Sequence, residues 1–277
     1  YNEGLISSEN GTGIRLENAS VDIISNEKNA TIEGGNEYAI FIDDTASVNQ
    51  IVNSGTINGM VDFGVNGGLY KTIGGVSDEI LNASELHLGA ATSGDLGALV
   101  SQINGSLIFS GDISVDANGS TAGVRYGQLE VSQDATLNGS LFVNVTGETF
   151  FSNDEVLELI KTGGTLTTDI DSAETNSLLL DFTPSKDASS LFVTVERNEV
   201  ADVVEDIITL VLEFEEPDID SGSAGAVNVV AVAVALDQVA ALIETGEVSE
   251  DSELGKIFAS LQGEDDSSQR DTFLHDK

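Results

Sequence analysis

His87 lies in Glu85-Leu86-His87-Leu88-Gly89, alternating with leucines, and the chain has one other histidine, His275. A Ser-His-Asp relay needs an imidazole to take the serine proton, so any such relay here must use one of these two. No G-x-S-x-G elbow accompanies either of them, and His275 belongs to a polar tail. His87 is therefore read as a solvated strand position. Adjacent carboxylates occur at Asp43-Asp44, Asp154-Glu155 and Asp265-Asp266. None has the alternating acid spacing of a calcium loop, and the glycine-rich calcium nonapeptide is absent. Solvated corners are the plainer reading. Polysaccharide cleavage would want a basic residue beside a carboxylate cluster, yet Arg15, Arg125 and Arg197 stand far apart in the sequence. Cys is absent, which removes disulfides and thiolate metal sites. No catalytic residue, metal ligand or cofactor site is assigned, and the expectation is a protein that is not an enzyme.

Other short motifs carry equally plain readings. Asn-x-Ser/Thr triplets begin at Asn18, Asn29, Asn82, Asn104, Asn118, Asn138 and Asn144. They match the glycosylation acceptor pattern, but corner asparagines in an Asn/Ser/Thr-rich chain produce the same triplets. Gly34-Gly35 and Gly67-Gly68 are not phosphate loops, because no Lys-Ser/Thr or helix start follows them.

The elements that would position these residues are strands. Gly127 to Thr146, GQLEVSQDATLNGSLFVNVT, is read as two strands, LEV and LFVNV, separated by a polar corner ending in Asn138-Gly139. Leu129, Val131, Leu137, Leu141, Val143 and Val145 recur at strand spacing, and Asn-Gly supplies the positive φ of a sharp corner. Degraded copies lie upstream. NASVDIISNEKNATIEGG from Asn18 and TASVNQIVNSGTINGM from Thr45 both place Ser-Val, an apolar pair, an Asn-rich corner and Thr-Ile-x-Gly. Echoes follow from Asn82, Asn104 and Ala135. A period of roughly 20 to 30 residues is that of a solenoid whose insertions fall at corners. Val21, Ile23, Ile32, Val48, Ile51 and Ile57 are the inward candidates. Stacked coils let such short strands bury their inward residues, so a right-handed parallel β-helix is preferred to a meander of hairpins. Ala90 to Val100 is left as either a short helical insertion or a wide loop.

Composition agrees with that class. The 277 residues carry 48 Asp and Glu against 10 Lys and Arg, a formal net charge of −38 and a pI near 4.1. Such a surface repels nucleic acid and anionic membranes. Apolar residues make up 40% and charged residues 21%, so the chain is not a disordered acidic tail. Two Pro and 29 Gly suit short strands with tight corners. Tyr1-Asn2-Glu3 opens in mid-pattern with no signal peptide, and the expectation is a targeting segment upstream.

Beyond the best-kept copy the pattern tightens and then changes. VLELI within Asp154 to Lys161, LLLDF from Leu178 and LFVTV from Leu191 are expected strands of a compact end piece. An open coil presents unpaired strand edges that must be closed. From Glu196 the chain becomes its most acidic. A strand-like run from Ile207 to Phe214 leads into an acidic Pro/Gly/Ser linker, and Ala226 to Thr245 is an expected helix ended by Gly246. A second helix is expected over Ser252 to Leu261. The apolar run Ala224 to Ile243 is interrupted by Asn228, Asp237 and Gln238, which favours an amphipathic or Ala/Val-rich docking helix over a membrane span.

Three pieces in this order resemble the C-terminal part of a bacterial autotransporter passenger (type V secretion, pertactin-like). VRYGQLEVSQDATLNGSLFVNV from Val124 looks like the passenger-end folding segment, and LFVTVERN (Leu191 to Asn198) looks like its closing strand with an Arg-Asn pair. NVVAVAVALDQVAALIETG (Asn228 to Gly246) resembles the helix that follows in that family. Two departures stand out: an acidic strand and linker intervene from Glu199 to Gly225, and no barrel strands follow. The resemblance implies residues 1–122 as a β-helix stalk and 123–198 as a capping, autochaperone-like segment. Residues 199–225 would be the acidic strand and linker, and 226–277 a helical tail toward an absent outer-membrane barrel. It implies that barrel as partner, a surface ligand, and a place on or outside a Gram-negative outer membrane. The leading reading is an adhesin stalk. The alternatives are a spacer for an upstream protease or esterase domain, and a free-standing solenoid that cleaves acidic polysaccharides.

Overall fold

Aliphatic residues alternating with polar ones over three to seven positions make strands too short to hold a sheet alone. They hold when each is covered above and below by another coil. The computed structural model describes residues 1–198 apart from 92, 94, 121–122, 147–150 and 178. Among these residues the chain is all-β, with only a one-turn 3₁₀ helix at Gly64–Asn66, and it winds as a β-solenoid.

One column of strands contains β1 (Leu5–Ser8) and β2 (Ile14–Leu16), both paired in parallel with β4 (Thr31–Ile42). It continues through β6 (Thr56–Asp62), β8 (Val76–Leu81), β10 (Gly97–Ile103), β13 (Gly123–Val131) and β16 (Val156–Thr162). A second column stacks β3 (Ser20–Asn26), β5 (Ser47–Asn53), β7 (Leu69–Thr72), β9 (Glu85–Leu88), β12 (Asp112–Ser120), β15 (Leu141–Val145) and β18 (Glu174–Thr175). A third, shorter sheet holds β11 (Leu107–Ser110), β14 (Ala135–Asn138) and β17 (Leu166–Thr168).

Register shows the winding directly. Leu5, Thr31, Thr56, Val76, Gln102, Glu130 and Lys161 lie opposite one another in succession, which is six steps up the stack. At about 4.8 Å between strands that is a rise of about 29 Å. The next residue of each strand points inward, giving the column Ile32, Ile57, Ser77, Ile103, Val131, Thr162, each buried. The second column supplies Ile51, Tyr70, Leu86, Ile113 and Leu141 in register, all buried. Each buried aliphatic side chain contributes about 1.5–3 kcal/mol of transfer free energy, so the columns hold the coils together.

All six apolar residues expected between Leu129 and Val145 are buried, but an extra strand, β14, stands where a polar corner was expected. Of the six upstream inward candidates, Ile32, Val48, Ile51 and Ile57 are fully buried and Val21 packs against the core. Ile23 was misplaced: it is 38% exposed and Ile24 points inward instead. Along β3 Asp22 and Ile23 are both exposed, so the alternation changes phase between Val21 and Ile24 and a strict period of two fails. Residues 97–100, within the stretch read as a helical insertion or wide loop, open β10 and pair in parallel with Arg125–Gln128.

Corners use the residues that tolerate left-handed backbone. Asn18, Asn29 and Asn82 have φ of 50°, 69° and 60°, so three of the triplet asparagines sit at corners for conformational reasons. At Gly139, φ is +132° and a Cβ would come within 2.2 Å of the Gly111 carbonyl oxygen. Gly139→Ala is expected to cost about 1–3 kcal/mol in strain alone, read as a lower urea midpoint. An unchanged midpoint would mean that the coils can separate there freely.

Antiparallel pairing enters between the two columns, where Ala117–Ser120 of β12 run against Gly123–Tyr126 of β13, and again at the last coil. β16 pairs in parallel with β13 on one edge, and antiparallel with β20 (Ser190–Arg197) on the other. β20 in turn pairs antiparallel with β19 (Leu180–Lys186). The expected strands VLELI and LFVTV are β16 and β20, and LLLDF contributes the start of β19. Pro184 lies within β19, which has no further strand beyond it among the described residues. A proline there withholds an N–H from any strand that would add to this edge. Residues 199–277, with the acidic strand, linker and helices expected there, lie outside the described residues.

Candidate functional site

His87 is not a fully solvated strand position. It projects from the outer face of β9, with its side chain 14% exposed, and residues from three coils close around it. Register sets Lys71 of β7 beside His87, and His87 beside Ser114 of β12. Asp116, two residues further along β12, shares that outward phase. Ser114 Oγ is 3.0 Å from His87 Nδ1, and Asp116 Oδ2 is 2.9 Å from His87 Nε2. The carboxylate sits off the N–H line, so this second contact is electrostatic more than a directed hydrogen bond. Ser114 Oγ also donates to Glu85 Oε1 at 3.2 Å, and Lys71 Nζ lies 3.9 Å from Asp116 Oδ2. Burial pushes the Asp116 carboxyl up, but the His87 contact, the Asn144 amide and the Lys71 charge together hold it below its ordinary value.

The three residue types of a hydrolytic relay therefore meet, though the arrangement is poor for nucleophilic attack. Ser114 is 8% exposed and sits in mid-strand between β9 and β15, where its peptide groups belong to the two parallel ladders. An oxyanion hole needs free N–H donors beside the nucleophile, and a continuous ladder provides none at this position. The cluster works as cross-coil bonding. It continues upward, because Asn144 Nδ2 donates to Asp116 Oδ1 at 2.7 Å and Asn176 Nδ2 donates to Asn144 Oδ1 at 3.1 Å.

A second polar line runs inside the coils. Asn2 Nδ2 donates to Asn26 Oδ1 at 2.8 Å, and Asn26 Nδ2 donates to Asn53 Oδ1 at 2.9 Å. Asn53 Nδ2 reaches the Tyr70 hydroxyl at 3.2 Å and Ser77 Oγ at 3.1 Å, and those two hydroxyls bond to each other. Asn26 and Asn53 are fully buried. Burial pushes the Tyr70 phenol up to about 12 against the opposing bonds from Ser77 and Asn53, so it remains a neutral link. The asparagines also tie down corner carbonyls, with Asn26 Nδ2 donating to Thr56 O at 3.0 Å and Asn2 Nδ2 to Thr31 O at 2.9 Å.

The remaining candidates stay apart. Asp43 Oδ1 accepts from the Thr45 N–H at 2.8 Å and from its hydroxyl at 2.6 Å, and those bonds pull the carboxyl below its usual range. Asp154 turns a corner at φ 62°, while burial raises the neighbouring Glu155. Among the described residues no three His, Asp or Glu side chains are grouped to hold a metal ion. Arg15 lies over the Phe41 ring at 5.1 Å and pairs with Glu17. A Cβ on Gly35 would lie 2.0 Å from the Glu9 carbonyl oxygen, which makes that glycine a matter of close coil packing. Asp265-Asp266 and His275 lie outside the described residues. No described helix is long and apolar enough to cross a membrane.

Sequence reasoning missed Ser114 and Asp116 as partners of His87. Ser-Val-Asp and Glu-Leu-His share the same outward alternation, but their pairing depends on a coil of 27 residues between His87 and Ser114. The fold and this cluster define a β-solenoid with internal and external polar ladders. No family model, curated protein or solved structure matches the chain.

Proposed function

We propose that the chain is the stalk and closing segment of a surface-displayed or secreted autotransporter passenger, serving as a non-catalytic spacer and folding template in an adhesin. One observation carries this reading: parallel rungs accumulate through six steps, with one antiparallel pairing of β12 with β13 among them, and the last coil is then covered by β20 and β19, which add antiparallel to β16, with Pro184 on the outermost strand. Those strands fall within residues 123–198, the stretch that resembles a passenger-end segment, and they cover the last coil. A right-handed winding and a capping, autochaperone-like role for this stretch belong to the same proposal.

The mechanism follows from nearest-neighbour energetics. Each coil is stabilised chiefly by the one before it, so folding propagates from whichever end is stable first. A closed end near an export pore would template the coils that emerge after it, with no nucleotide hydrolysis needed. In this proposal the chain's own outer-membrane barrel is its partner, and a host or cell-surface ligand is bound elsewhere. The net charge of −38 keeps neighbouring copies apart on a crowded surface.

Location is the most direct test. In the cells that make this protein, external protease should remove it from intact cells, and antibodies to the coils should label unpermeabilised cells. Protection until the envelope is broken would overturn the reading.

A further inference from the structure

We infer that counterions complete this fold: an atmosphere of small monovalent cations, more than Lys and Arg side chains, offsets the carboxylates that successive coils set against one another, so the stack loosens as ionic strength falls. The 10 Lys and Arg cannot pair with 48 Asp and Glu. The coils meet that excess in another way.

Outer carboxylates take neutral donors from the neighbouring coil. Asn49 Nδ2 donates to Asp22 Oδ1 at 3.0 Å, Asn82 Nδ2 to Asp62 Oδ1 at 2.7 Å and Ser140 Oγ to Asp112 Oδ1 at 2.5 Å. A bond with one charged partner satisfies the carboxylate's lone pairs and leaves its charge in place. Lys71, with Nζ 3.9 Å from Asp116 Oδ2, is a cross-coil exception.

In two places the register goes further and sets like charges side by side. Glu85 of β9 lies opposite Asp112 of β12, and Asp181 of β19 lies opposite Glu196 of β20 in the closing strands. Ser114 and Ser140 donate to the first pair, and Asn198 and Thr183 to the second. Those four bonds neutralise neither pair. Like charges directly opposite in a sheet are destabilising.

Distance decides how salt acts on such a fold. The Debye length falls from about 30 Å at 0.01 M to about 8 Å at 0.15 M and about 3 Å at 1 M. The cross-coil bonds to Asp22, Asp62 and Asp112 are about as short as the last of these, so they keep most of their strength. Repulsion between carboxylates on separate coils acts over longer distances and fades across that range. A stack fastened by Lys–Glu pairs would lose those pairs to the same screening. Here screening removes a penalty and breaks little, so added salt tightens the coils. In the unfolded chain the same charges stand farther apart and gain less. The stack is firm in a saline medium and looser in a dilute one, and ionic strength is the switch.

Urea carries no charge, so urea unfolding of the full chain at one fixed pH is the test. Between about 0.01 M and about 0.5 M salt the folding equilibrium constant should rise about tenfold, equally in sodium chloride and in choline chloride. Glu85→Gln keeps an acceptor for Ser114 and removes one charge of an opposed pair. Its rise should fall short of the wild type's by about twofold to fivefold. Glu33→Gln removes a charge that faces Ser7 and Asn58, neutral on both sides, and should follow the wild type. The readout is the rise with salt within each variant, so a stability cost at either residue leaves it intact. A constant that stays flat or falls with salt would overturn the inference. So would a rise confined to one cation, which means a discrete ion site, or a Glu85→Gln rise equal to the wild type's.

Discussion

Asn26→Ala is expected to lower the unfolding free energy by roughly 2–4 kcal/mol, far more than a polar-to-alanine change on the outside of a solenoid. The side chain is fully buried and lies in the middle of a three-asparagine line. Its removal leaves the Thr56 carbonyl without its amide donor and breaks both links along the line. Asn2 and Asn53 keep part of their bonding, since Asn2 still reaches Thr31 O and Asn53 Oδ1 still accepts from the Gly55 N–H at 3.1 Å. That partial compensation holds the figure below the sum of three lost bonds. Asn49→Ala is the matched control. Asn49 Nδ2 donates to Asp22 Oδ1 at 3.0 Å across the same two coils, but outside, and its loss should cost less than about 0.5 kcal/mol. Equilibrium urea unfolding of both variants settles the comparison. Equal midpoints would show that water enters the corner and replaces the amide.

That line also marks how far the sequence could be read. SVDIISN and SVNQIVN align in the sequence, and the aligned positions pair in parallel, so the repeat and the inward aliphatic column were legible from spacing alone. The closing asparagines were read as corner residues, because Asn is ordinarily exposed and turn-forming. Their burial follows from stacking: an amide that faces its copy in the next coil finds a donor and an acceptor at strand spacing. A single strand gives no hint of this. Ile23 failed for a related reason, since the alternation changes phase inside β3 and only the stacked partner reveals it. The cluster at His87 was invisible for want of register. Pairing Lys71, His87 and Ser114 needs the lengths of two coils, and those coils differ, Thr56 to Val76 spanning 20 residues and Glu130 to Lys161 spanning 31. Neither the antiparallel pairing of β12 with β13 nor the one at the last coil carried a periodic signal. Pro184 was the one local mark of the latter.

The largest effect of all is expected at that last coil. Phe182 of β19 is 3% exposed and meets Phe151 edge to face at 6.1 Å between ring centroids. Phe182→Ala should cost about 3–5 kcal/mol for the cavity and the lost aromatic pair. β19 and β20 carry that loss first, and the β16 edge that pairs with β20 is a template for other chains once bared. The kinetics bear on the proposed function. If this end forms first, the loss appears mainly as slower refolding, because the contact is already made in the transition state. Ile57→Ala removes a buried side chain from the fourth coil before the end, at about 2–5 kcal/mol. Its contact forms after nucleation, so its loss should appear mainly as faster unfolding. Stopped-flow chevrons on the two full-length variants separate these outcomes. A Phe182→Ala variant that refolds at the wild-type rate while Ile57→Ala refolds slowly would place the nucleus at the other end of the stack, and the templating role would fall with it.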